Sequence, residues 1–136
     1  MNLVHRAIAI TVFVSGALTA QELVGRWTGV AETIDDGGTK RQESHTIEIK
    51  ADGDKLSGIR LNRSGNGSTP IDVQQDGAKV NFYSYLPLDG GEHLRWKFEL
   101  KNGDLVGTYS SQHNNPKKWV YDRIGPMTLT RAAGAK

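Results

Sequence analysis

Histidines and neighbouring carboxylates are the side chains of this chain that could move protons or hold a metal ion. Beyond residue 20 the histidines are His45, His93 and His113. No two stand at His-x-His or His-x-x-x-His spacing, so no element would aim a pair at one ion and no metal site is expected. Each is expected on a solvated loop or strand end. Asp35-Asp36 has the residue types for acid–base work, yet "IDDGGTK" reads first as a turn. Ser110-Ser111 with His113 could supply a nucleophile and a base, but no strand–turn–helix elbow or oxyanion donor accompanies them. Cysteine is absent, which excludes thiolate catalysis and cysteine metal sites. No catalytic constellation emerges, so the expectation is a non-enzymatic protein without a cofactor.

Binding chemistry is the other option, and here the aromatics matter. "KVNFYSYL" and "HLRWKFEL" place Phe82, Trp96 and Phe98 in phase with other apolar residues, and "GDLVGTYS" adds Tyr109. If these four face one interior, they are candidates to line an apolar ligand pocket, which takes mostly apolar walls and a few polar anchors. The competing reading is that they are ordinary core. A second set sits in "SQHNNPKKWVYDRIG", where Lys117, Lys118, Trp119 and Tyr121 would put aromatics beside cations in a long loop, residues 110–124.

The elements that must position these residues are strands. Apolar and polar residues alternate over short runs, the period of half-buried β-structure. Leu94, Trp96, Phe98 and Leu100 share a face, as do Ile47 and Ile49. Eight strands are expected, near 24–33, 45–50, 55–62, 70–75, 78–85, 93–101, 104–110 and 125–131. "ADGDK", "QDGAK" and "KNGD" hold the Asp-Gly or Asn-Gly pairs of tight hairpins. "IDDGGTKRQES", "NRSGNGST" and "PLDGGE" read as open loops. Adjacent hairpins with no crossover helices predict an all-β fold, a single antiparallel eight-stranded up-and-down barrel, with a β-sandwich as the alternative.

The first 20 residues stand apart. A basic start (His5, Arg6), an apolar run from Ala7 to Val14 and small residues up to Ala20 have the layout of a cleaved signal helix. The expected division is therefore 1–20 signal peptide and 21–136 barrel domain, cleaved after Ala20 or Ala17. The location is then secreted or periplasmic, with membrane contact only in transit. The apolar run is far below the ~20 residues that span a bilayer. Cleavage removes Arg6 and no acid, taking the formal charge from +2 to +1. A balance so near neutral gives nucleic acid no purchase.

Gly25-Arg26-Trp27 has the Gly-x-Trp form, and "MTLTR" closes the last expected strand with Arg131. In these features the chain resembles the lipocalin and calycin barrels, and among them small secreted bacterial barrels with a Gly-x-Trp-x-Gly opening and repeated Leu-x-Gly strands. The resemblance implies that Trp27 plugs one barrel end with Arg131 across its ring, a cation–π contact worth about 1–2 kcal/mol, and that Gly25 lets the strand bend there. It implies a small hydrophobic ligand in the interior, lined by Phe82, Trp96, Phe98 and Tyr109. The alternative is a protein-interaction or inhibitor module acting through the rim loops, above all residues 110–124.

Overall fold

The computed structural model describes residues 20–62, 67–87, 90–114 and 121–132. A single turn of helix, α1 (Ala20–Leu23), leads into eight strands: β1 (Gly25–Asp35), β2 (Lys40–Asp52), β3 (Lys55–Leu61), β4 (Ser68–Asp76), β5 (Lys79–Leu86), β6 (Glu92–Lys101), β7 (Asp104–His113) and β8 (Arg123–Arg131). Each strand pairs antiparallel with the next, and β1 also pairs with β8, so the sheet closes on itself. The sandwich alternative is set aside by that pairing. Closure leaves no strand edge to template aggregation, in a chain with no disulfide to restrain it.

The two ends of the barrel differ because their connections differ. At one end β2–β3, β4–β5 and β6–β7 are joined by two-residue turns. Gly53 (φ 69°) and Gly77 (φ 63°) open the first two, while Asn102 (φ 53°) and Gly103 (φ 85°) form the third. These positive angles match the twist of the flanking strands, as primed hairpin turns require. The chain enters and leaves the barrel at this turn end. The opposite, loop end carries the connections after Asp35, Leu61, Leu86 and His113.

Several strands run beyond their expected limits, β2 and β7 by the most at one end. β2 begins at Lys40 and pairs through Ile34↔Lys40, Thr33↔Arg41, Glu32↔Gln42 and Ala31↔Glu43. The stretch "KRQES", expected as open loop, is therefore strand. β7 continues to His113, with Glu92↔His113 and Ser111↔Arg123 in register on either side. Residues 110–113 thus belong to the barrel wall and not to a rim loop.

Inside, the turn end is apolar. Trp27, Ile47, Ile49, Val80, Leu105 and Leu129 are all at most 1% exposed. Trp27 donates its indole N–H to the Leu23 carbonyl at 2.9 Å, which seats α1 across the barrel end and buries Leu23. Close strand packing explains Gly29: a Cβ there would stand 2.0 Å from the Thr128 carbonyl oxygen on β8, so only glycine fits.

Candidate functional site

The four aromatics expected to face inward do so, and they touch. Phe82 lies opposite Trp96 across β5–β6, and Trp96 lies opposite Tyr109 across β6–β7. Ring centroids are 5.6 Å apart for Phe82–Phe98, 6.2 Å for Phe82–Trp96 and 5.2 Å for Trp96–Tyr109. Phe82 and Phe98 sit deep in the apolar core. Trp96 and Tyr109 form its upper layer, where the interior changes character.

Above that layer, toward the loop end, the inner face turns polar. His45 was expected to be solvated; instead it is 1% exposed. It sits in phase with Ile47 and Ile49 on the inward side of β2, and its ring packs edge-on against Tyr109 at 4.5 Å and Trp96 at 5.8 Å. Trp96 donates its indole N–H to His45 Nδ1 at 3.0 Å. An indole nitrogen can only donate, so Nδ1 must accept and the neutral ring carries its proton on Nε2. That N–H has no acceptor within hydrogen-bond range among the described residues. Glu43 Oε1 lies 3.7 Å away, which makes an electrostatic contact and not a hydrogen bond. Burial lowers the pKa of His45 below the ordinary histidine value; the Glu43 carboxylate works against this, and the Arg60 and Arg123 charges reinforce it.

Glu43 is the centre of the charged layer. It accepts from Arg123 Nε at 2.6 Å and from Thr33 Oγ1 at 3.1 Å. Burial alone would push its carboxyl up; the His45 ring, the Arg123 guanidinium and the Thr33 hydroxyl outweigh that and hold it at about 2. Arg123 also reaches the Tyr109 hydroxyl at 3.3 Å and stands 3.6 Å from Glu92 Oε2. Ser111, fully buried on the inner side of β7, has a hydroxyl oxygen without a hydrogen-bond partner among the described residues. One aromatic layer and one charged layer therefore meet at His45, Trp96 and Tyr109. Two buried polar groups there, His45 Nε2–H and Ser111 Oγ, have no protein group to bond among the described residues.

Carboxylates and a histidine also converge at the rim. Glu92 at the start of β6, His113 at the end of β7 and Asp122 just before β8 bring one ligating atom each within 4.8 Å of one another. The other histidine of this region, His93, faces outward with both nitrogens engaged, Nδ1 with the Tyr83 hydroxyl at 2.7 Å and Nε2 with Asn114 Oδ1 at 2.5 Å.

The remaining expected residues fall elsewhere. At the turn end Arg131 lies over Trp27, its guanidinium carbon 4.5 Å from the ring centroid. Its Nη1 donates to the Val24 carbonyl at 2.9 Å and its Nη2 to the Glu22 carbonyl. Gly25, at φ 134°, carries the chain from α1 into β1 beside that guanidinium. Lys117, Lys118 and Trp119 lie outside the described residues, as does the expected signal peptide but for Ala20. Tyr121 lies against the outer wall, lining a groove of about 360 Å³ with Arg95, Lys97, Thr108 and Gln112. Sequence reasoning missed Glu43, His45 and Arg123 as a site. Only His45 left a signal, its even spacing from Ile47 and Ile49. Comparison of the chain with protein-family models, curated proteins and solved structures found no match.

Proposed function

We propose that this protein is an exported, lipocalin-like barrel that binds a small molecule inside its loop end. The apolar part of the ligand rests on Trp96 and Tyr109, and a polar oxygen of the ligand accepts from His45 Nε2–H. The observation that carries this reading is the pair of buried, unpartnered polar groups, His45 Nε2–H and Ser111 Oγ, on one inner surface. A buried donor without an acceptor costs about 1–3 kcal/mol, a cost that a ligand oxygen would remove. The hydrophobic ligand expected from the sequence thereby becomes an amphiphilic one.

Binding fits this layer better than catalysis. His45 presents a proton and not a lone pair, because Trp96 occupies Nδ1, so it can donate a hydrogen bond but cannot act as a general base. Glu43 is held ionised by Arg123 and has no proton to give. Export is supported by the layout of residues 1–20. Cleavage after Ala20 would leave Leu23, the acceptor of the Trp27 bond, in the mature chain.

Native mass spectrometry of residues 21–136, recovered from an exporting host, tests the proposal. A discrete adduct is expected, released on unfolding and lost from a folded His45→Phe variant. Bare protein from several hosts would reject ligand carriage. It would favour the interaction reading instead, in which a partner uses the groove at Tyr121.

A further inference from the structure

We infer that Glu92, His113 and Asp122 form a binding site for a divalent cation of the zinc class at the rim of the barrel. The inference is independent of the small-molecule reading. The pairing of β6, β7 and β8 builds the site. Glu92 and His113 are a cross-strand pair on β6 and β7, both at inward positions in phase with Leu94 and Tyr109. Asp122 arrives from the other side, fixed by its backbone N–H to the Ser111 carbonyl at 2.7 Å. All three are half-buried, so each keeps access to solvent while its backbone is held by the wall.

The donor set decides the class. One imidazole and two carboxylates make a mixed nitrogen–oxygen site, suited to zinc and its neighbours and lacking the all-oxygen shell that calcium and magnesium take. Atoms spread over 4.8 Å can be drawn onto one ion by side-chain rotation, with ligand distances of about 2.0–2.2 Å. Three protein ligands leave a fourth position for water or for an oxygen of a bound molecule.

The neighbouring Arg123 does not block the ion, because Glu43 claims it. Arg123 Nε is 2.6 Å from Glu43 but its Nη1 is 3.6 Å from Glu92, beyond hydrogen-bond range. Glu92 can therefore turn to a cation without leaving the guanidinium unpaired. His113 already lies against Asp122 through Nδ1, which holds two of the three ligands side by side.

Isothermal titration of chelator-treated full barrel with zinc chloride at neutral pH provides the test. A one-to-one site of micromolar or tighter affinity is expected. His113→Ala and Asp122→Asn should each weaken it at least about tenfold, since even outer-shell partners of a metal are worth about 10–100-fold. His93→Ala should leave it unchanged. Circular dichroism establishes folding of each variant, and Asp122→Asn, which keeps shape, stands in should His113→Ala misfold. Affinity only in the millimolar range, or equal loss with His93→Ala, would overturn the site. Loss of zinc binding with the mass-spectrometric adduct intact would leave the ligand proposal untouched, and the reverse holds as well.

Discussion

Glu43→Gln removes one charge from the interior while keeping the shape and both hydrogen-bond partners. In the folded protein the carboxyl titrates at about 2 against an ordinary value of 4.5. A depressed folded pKa stabilises the fold fully above the ordinary value, and that contribution disappears as pH falls from 4.5 through about 2. At ~1.36 kcal/mol per pH unit, the difference sets a ceiling of about 3 kcal/mol. Glu43 keeps 20% of its side chain exposed and Arg123 26%, so solvent screens part of the pairing. Allowing for that, the loss at neutral pH should be about 2 kcal/mol. For a barrel of this size that lowers Tm by about 8 °C. Thermal unfolding of both proteins, followed by circular dichroism from pH 7 down to 2.5, reads the gap directly. The gap should be widest above pH 5 and should close steadily in acid. A loss below about 0.5 kcal/mol at pH 7 would mean that the charge pair is solvated, not structural. A gap that stayed constant into acid would show that the substituted amide disturbs packing and that the charge is not responsible.

Three other substitutions probe the two ends of the barrel. Trp96→Phe keeps an aromatic ring but withdraws the N–H from His45 Nδ1; the freed lone pair should raise the His45 pKa toward its ordinary value. In the native protein a depressed His45 pKa means that the unfolded chain takes the proton first, so stability falls as pH drops through 6.5. That fall should shrink in Trp96→Phe. An imidazole titration by NMR that showed the same His45 pKa in both proteins would defeat the tautomer assigned to it. At the turn end, Trp27→Ala should cost about 3–5 kcal/mol as a buried tryptophan and Arg131→Gln about 0.5–1 kcal/mol as an exposed cation over its face. Unchanged urea midpoints in either would show that the Trp27–Arg131 pair does not close the barrel.

How much of this was legible in the sequence follows from which face each strand buries. β6 alternates Leu94, Trp96 and Phe98 with charged residues, and its expected limits match the observed ones to a residue. Its inner face is apolar along most of its length, so the period is plain. β2 was half missed. Its lower part, from His45 to Ile49, alternates clearly, whereas Lys40 to Ser44 is polar on both faces and therefore reads as loop. Yet those residues pair with β1 in unbroken register. A strand in full register that carries polar groups on its inner face needs partners for them inside. Glu43 finds Arg123, which lies 80 residues away in sequence. No local pattern reports such a pair, and the same holds for Glu92, His113 and Asp122, gathered from three strand ends. The stretch that broke the pattern and the stretch that builds the polar layer are thus one stretch, for a single physical reason. Apolar alternation fails where the interior stops being a core, and on β2 that change begins at His45.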